Sequence, residues 1–462
     1  MTTSQGGPRP RRAAEAGLLV LAWLGAGLAL AQIDWVATSS PLPGPWITLG
    51  AIVLLSSAMH VVVRWQAPYA DQIMLPVATL LTSLGLTMIA RLDVAAARSA
   101  DQQGGVAPSP DVYAQLTWFG IAAILFIATI ILMRDHRRLQ RYTYTLGLTG
   151  LVLLVLPLVP IIGTTVNGAT LWIRLGSFSF QPGEIAKILL TASVAGYLVV
   201  KRESLSQVHV KVLSVGLPRP RDVGPLIAAW LVSLAILVFE RDLGTSLLFF
   251  GIFVGLLYIA TQRPSWLVMS LGLFLIGSLL AVLSFGHVRS RVAIWLDPWA
   301  QADGAGYQVV QSLYGFANGG LLGTGLGHGF PNYVPFASTD FIIAAFAEEL
   351  GLVGVVAIIV LYGVLVERGL RTAIEATDPY GKLLAAGLAI ALGLQSFIIM
   401  AGVSRLIPLT GLTTPFMSYG GSSLIANWII VAILLRVSDR ARRPPVSPVN
   451  PAEAATAVLR TS

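Results

Sequence analysis

The chain contains no cysteine, so a disulfide framework, a cysteine-ligated zinc centre and a thiol nucleophile are excluded. It is also poor in charge. Only 11% of its 462 residues are Asp, Glu, Lys or Arg, against about 25% in a soluble domain. A chain of this length with so few charges cannot cover its surface with polar groups, which rules out a soluble enzyme. A hydrophobic content of 55% rules out disorder. What remains is a multi-pass membrane protein. Forty-six glycines and eleven tryptophans agree, since Gly is common in membrane helices and Trp at their interfaces.

A spanning helix needs about 20 apolar residues. Twelve stretches qualify, at about 16–33, 46–63, 72–90, 115–133, 143–162, 184–200, 225–239, 244–260, 266–284, 342–366, 382–404 and 421–437. The expected fold is all-α and polytopic. Placing the N-terminus in the cytoplasm puts about 22 of the 30 Lys and Arg inside, so the net charge of +8 is mostly topology. Nucleic-acid binding is not expected. An even number of spans places both termini inside. Three arginines, an apolar run and Ala29-Leu30-Ala31 imitate a secretory signal peptide. The length of the run and the helices that follow favour an uncleaved anchor. Residues 1–14 and 439–462 read as cytoplasmic tails, and the stretch 285–340 as a large loop on the outside.

Ionisable groups at membrane depth mark functional sites, and four clusters stand out. The first runs from Thr165 through Asn167, Trp172, Arg174 and Gln181 to Pro182-Gly183-Glu184 and Lys187. Pro182 suits a first helical turn, and Glu184 and Lys187 share a face. They read either as a capped helix start with an internal ion pair or as a polar pair lining a cavity. Arg174 and Trp172 also suit interface anchors. The second cluster, Glu240-Arg241-Asp242, sits between two spans, with Asp242 as a helix cap. The third is the outer loop, with Arg289, Arg291 and a glycine run (Asn318 to Gly327) that lacks the features of a phosphate loop. It ends at Ser338-Thr339-Asp340, before a helix carrying Glu348-Glu349. Were the helix continuous from Asp340 to Glu348, the two carboxylates would lie about 80° apart and face one cavity. The fourth cluster, Arg405 to Ser423, breaks its backbone with two prolines and three glycines and contains Ser418, Tyr419 and Ser422. Irregular backbone at this depth is tolerated only in protein or beside a polar cavity.

Taken together, NGATLWIRLGSFSFQPGEIAK, RDLGTS, YQVVQS with FANGGLLGTGLG, STDFI with EE, and RLIPLTGLTTPFMSYGGSS resemble the shape, elongation, division and sporulation (SEDS) family, which includes RodA, FtsW and SpoVE. The last stretch is most similar to actinobacterial RodA-type members. The family has ten spans, so residues 15–70 read as two additional N-terminal helices, in which His60 is a packed or interface residue. Residues 71–438 read as the family core. The resemblance implies a peptidoglycan glycosyltransferase that polymerises lipid II at the outer face of the plasma membrane, for elongation or division. It also implies a class B penicillin-binding protein as partner and a divalent cation, Mg2+ or Mn2+, with no ligands assigned. The family's catalytic aspartate maps to Asp340. Many members carry a glutamate where Phe336 follows Pro335 here, which puts any role of that glutamate in doubt.

The chemistry agrees with these residues. A sugar hydroxyl attacks an α-linked donor with inversion, so one carboxylate takes its proton. Pyrophosphate leaves as an anion and needs positive charge, from a metal ion, Lys187, Arg174 or a loop arginine. Asp340 is the expected base. Lys187, Glu184, Arg174, Asn167, Gln181, Asp242, Glu348, Ser418, Tyr419 and Ser422 are the expected substrate-binding residues. The rival readings are a lipid II flippase and a scaffold that activates the penicillin-binding protein. Polar motifs gathered at one face favour the enzyme.

Overall fold

The computed structural model describes residues 12–37, 44–160, 162–166, 169–175, 178–206, 210–212, 215–217, 224, 227–228, 230–232, 235–236 and 242–444. In chain order its helices are α1 (Arg12–Val36), α2 (Pro45–Gln66), α3 (Met74–Gln102), α4 (Asp111–Leu132), α5 (Thr143–Val155), α6 (Pro182–Ser206), α7 (Leu243–Thr261), α8 (Pro264–Ser284), α9 (Gly286–Leu296), α10 (Tyr307–Gly319), α11 (Ile342–Glu375), α12 (Pro379–Val403) and α13 (Gly421–Arg442). Among the described residues eleven helical segments are long and apolar enough to cross a membrane, α5 counting with the 3-10 turns that flank it as His136–Leu158; α9 and α10 are the short ones. The expected span at about 225–239 lies mostly outside the described residues, as do Glu240, Arg241 and Asn167.

The all-α expectation needs one amendment. Residues Gly163–Val166, Ala169–Leu175 and Phe178–Phe180 form strands β1, β2 and β3 of an antiparallel sheet, with Thr164 opposite Trp172 and Arg174 opposite Ser179. The alternation in Thr-Leu-Trp-Ile-Arg-Leu explains this, since β-branched and aromatic residues at period two suit a pleated surface. A shorter hairpin pairs β4 (Val210–Val212) with β5 (Val215–Leu217).

Burial ranks the helices. The apolar window of α13 is 94% buried and that of α3 is 83% buried, whereas that of α8 is only 6% buried. The first two are central and α8 is peripheral. The polar residues of α13 (Ser422, Asn427, Arg436 and Asp439) are therefore inside the bundle. The N-terminal pair is joined internally: Trp23 Nε1 donates to Ser56 Oγ at 2.9 Å, and His60 Nδ1 bonds buried Glu15. Its link to α3 is tied to the end of α13. Tyr69 N–H donates to Asp439 Oδ1 at 2.9 Å, and Asp71 accepts from Arg442 Nη2 at 3.0 Å.

Helix α11 is not continuous. Gly351 has φ 67° and ψ −169°, which breaks the ladder. Backbone groups freed inside an apolar bundle must find partners, and the glycine run supplies them. Thr324 and Gly325 N–H groups donate to Glu348 O and Glu349 O at 2.9 and 3.0 Å, while Leu352 N–H donates to Gly320 O at 3.0 Å. The approach needs glycine: a Cβ on Gly319 would lie 1.8 Å from Ala347 O.

Arg91 of α3 locks this arrangement. Its Nε meets Glu349 Oε1 at 2.9 Å, and its Nη2 donates to Gly329 O at 2.8 Å and Gly327 O at 3.2 Å. Glu349 Oε2 accepts from Gly327 N–H at 3.1 Å. Both charges are buried. Removing one partner strands the other, at about 3–5 kcal/mol. Arg91→Ala therefore lowers the melting temperature of the detergent-solubilised protein sharply, and Arg91→Met combined with Glu349→Leu recovers most of the loss. Equal melting of the single and double variants would show that the pair does not hold the break.

Candidate active site

Asp340 sits in a tight turn immediately before α11. Phe336 starts the turn with a left-handed φ of 57°, and Thr339 and Phe341 N–H groups both donate to Phe336 O, at 3.0 and 3.2 Å. The irregular segment before α13 grips the same turn. Tyr419 N–H donates to Ser338 O at 2.7 Å, and Ser418 Oγ donates to Thr339 O at 2.5 Å while accepting from Thr414 N–H at 2.9 Å. Gln115 of α4 clamps the far side: its amide donates to Ser418 O at 3.1 Å and accepts from Gly420 N–H at 3.2 Å. Arg405 and Phe416 also have left-handed φ, of 61° and 68°. Strained backbone thus lies on the turn that carries Asp340 and on the segment that grips it, a pattern that points to function.

The helix does not reach back to Asp340, so the shared face expected for Asp340 and Glu348 is not formed. Glu348 is buried and its Oε1 accepts from Phe330 N–H at 2.9 Å, which gives it a bracing role in the loop.

Burial pushes the Asp340 carboxyl up to about 6; the Thr339 hydroxyl and Arg291 oppose the rise, and Asp242 adds to it. Asp242 caps α7, with Oδ1 accepting from Thr245 N–H at 2.8 Å, and burial raises its pKa as well. Burial lowers the pKa of Arg291, while Asp242 and Asp340 hold it up. Arg291 Nη1 donates to Thr410 O at 3.1 Å and to Leu409 O at 3.3 Å. A Cβ on Gly411 would lie 3.8 Å from Asp340 Oδ2. The strip Leu409–Gly411 thus links the arginine to the aspartate.

Glu184 and Lys187 share the first turns of α6, as their spacing requires, and Lys187 Nζ meets Glu184 Oε2 at 2.7 Å. Lys187 also donates to Gln395 Oε1 at 2.6 Å, and Gln395 Nε2 donates to Thr413 O at 3.0 Å. This buried relay ties α6 and α12 to the irregular segment. Gln181 joins through its backbone, its N–H donating to Ser422 Oγ at 2.8 Å. Ser418 and Ser422 are buried, with hydroxyls engaged by backbone. Tyr419 is partly buried. Arg174 is exposed on β2. Arg291 is one of the loop arginines expected as a source of positive charge; Gln395 and Gln115 were not among the expected site residues. The two glutamines carried a signal, each being polar within an apolar span. Among the described residues no three Asp, Glu or His side chains converge as a metal site.

Fold and site together define a multi-pass membrane enzyme with a carboxylate beside a cation on irregular backbone. The family model described as cell cycle protein, for FtsW, RodA and SpoVE, matches residues 71–443. The peptidoglycan glycosyltransferase RodA of Mycobacterium tuberculosis is 50% identical over 438 residues, 94% of this chain and 92% of its own. The unmatched 6% is shorter than the segment preceding the family match, so the similarity extends into the N-terminal helices. A solved peptidoglycan synthase complex that coordinates polymerization and crosslinking superposes with a TM-score of 0.61 at 28% identity, covering 81% of this chain and 99% of its own. The rod shape determining protein RodA of Thermus thermophilus gives a TM-score of 0.53 at 26% identity, covering 81% of this chain and 98% of its own. The chain belongs to the FtsW/RodA/SpoVE family, and it is a bacterial membrane peptidoglycan glycosyltransferase.

Ser418 gives a direct test of how the turn is held. Ser418→Ala leaves the Thr339 carbonyl and the Thr414 N–H without their partner, at about 1–3 kcal/mol. Because it loosens the aspartate, kcat falls about tenfold or more while KM changes little. Steady-state kinetics on the purified variant measure both, and an unchanged kcat would remove Ser418 from this role.

Proposed function

We propose that the chain polymerises lipid II into glycan strands at the outer face of the plasma membrane, with Asp340 as general base. The observation that carries this reading is a carboxylate on a turn braced by Tyr419, Ser418 and Gln115, which burial pushes up to about 6, with Arg291 in its field. The acceptor hydroxyl attacks the anomeric carbon of the donor. A new glycosidic C–O bond forms, the hydroxyl proton passes to Asp340, and the bond to pyrophosphate breaks with its electron pair on the leaving oxygen. A pKa near 6 makes a better base than an ordinary aspartate and leaves it ionised at pH 7.

Orientation follows from charge. The ends of α4, α11 and α13 away from Asp340 carry Arg134, Arg137, Arg368, Arg371, Arg440 and Arg442. A basic end belongs in the cytoplasm, which turns Asp340 outward and puts both termini inside.

A divalent cation, Mg2+ or Mn2+, suits this site only as one coordinated largely by water and phosphate oxygens, with Asp242 as the protein carboxylate left over from the base. When bound it would supply positive charge to the departing pyrophosphate. The similarity to a synthase complex that coordinates polymerization and crosslinking supports a class B penicillin-binding protein as the partner that cross-links the strands.

Purified protein, lipid II and Mg2+, with no other glycosyltransferase, should yield a ladder of glycan strands on a gel. Asp340→Asn should abolish the ladder with the melting temperature retained, and a ladder from that variant would overturn the assignment. The base must be ionised, so activity is present above its pKa and lost as pH falls through about 6. An acid limb near 4 in the profile of kcat/KM would contradict a buried base.

A further inference from the structure

An inverting displacement places base and leaving group on opposite sides of the reacting carbon. The site therefore needs a cation apart from Asp340, and the structure narrows the choice among the described residues. Lys187 is buried between Glu184 and Gln395. Arg91 is engaged by Glu349 and two carbonyls. Arg289 turns back on α8, donating to Leu283 O at 3.0 Å. Arg174 lies exposed on the sheet.

Arg291 and Arg405 differ from these. Both line a cavity of about 40 Å³ between α9, α10 and the segment after α12, together with Trp295, Gln308, Ile407 and Leu409. No carboxylate lines it. Arg405 Nε donates to Trp295 O at 2.8 Å and Nη2 to Leu296 O at 2.6 Å, and Trp295 Nε1 donates back to Arg405 O at 3.1 Å. These bonds hold Arg405 in its left-handed conformation. Arg291 makes both of its bonds through Nη1. A guanidinium has five N–H donors, so each arginine keeps donors beyond those used. Two guanidinium groups and an amide in a cavity lined by no carboxylate favour an anion, with Asp340 and Asp242 acting on Arg291 from outside that lining.

We infer that Arg291 and Arg405 form the seat for a phosphate group of the lipid-linked donor, at the Leu409 end of the strip whose Gly411 end meets Asp340. This rests on the polymerase reading for its substrate. The planar, bidentate geometry of guanidinium suits phosphate oxygens. Positive charge already in place at the breaking bond stabilises the departing pyrophosphate without reorganisation.

The test uses the full chain in nanodiscs, with Arg291→Gln, Arg405→Gln and Arg405→Lys. Microscale thermophoresis of the labelled nanodiscs reports binding of undecaprenyl pyrophosphate, undecaprenyl phosphate and undecaprenol. Wild type should bind the phosphorylated lipids at least tenfold more tightly than the alcohol. Either Gln variant should erase most of that preference, and Arg405→Lys should keep part of it. A phosphate preference unchanged in both Gln variants overturns the seat. Arg291→Gln should in addition move the acid limb of kcat/KM to higher pH, because a cation that favours ionised Asp340 is gone; Arg405→Gln should leave that limb in place. Should Arg405→Gln fail to fold, Arg291→Gln and Arg405→Lys decide the question. Wild type that binds with the expected preference yet makes no polymer would refute the polymerase reading and leave the phosphate seat standing.

Discussion

The structure depends on one constraint: inside an apolar bundle every backbone N–H and C=O must have a partner. Helices meet it internally until Gly351, where α11 breaks. From there the glycine run serves as a second backbone laid against the first, donating to the carbonyls the break exposes. Glycine is needed because the two backbones come closer than any Cβ allows. Arg91 then binds the carbonyls of the run itself and neutralises Glu349. A single arginine on a central helix thus closes the accounts of two irregular segments.

The charged groups fall into two kinds. Some are consumed by structure: Arg91 with Glu349, Lys187 with Glu184, Glu348 with the Phe330 amide. Others act on one another's charge around the Leu409–Gly411 strip: Asp340, Asp242 and Arg291. Asp340 is raised by burial but kept within reach of neutral pH by the arginine. The first set holds backbone still so that the second can respond to substrate.

The spans were legible because apolar runs of membrane length are the strongest signal a sequence carries. The Pro182 helix start, the Glu184–Lys187 pair and the Asp242 cap were legible too, since local spacing determines all three. The sheet at Gly163–Phe180 was not, because short alternating runs between spans give a weak signal against long apolar ones. The shared face of Asp340 and Glu348 assumed a helix running from Asp340, and the helix begins two residues later, at Ile342. Gln395 and Arg291 act through contacts with Lys187 and Thr410, which spacing along the chain does not encode.

Helix α8 is the least buried of the described spans, and only Phe285 separates it from α9, which carries Arg291. The central helices are fixed by side chains on all sides, whereas α8 is held on one side, with Phe274 against Phe250 of α7. Arg291 therefore sits on a short helix between the least covered of the described spans and the bundle, and it keeps its place by reaching inward to the Leu409 and Thr410 carbonyls rather than through α8.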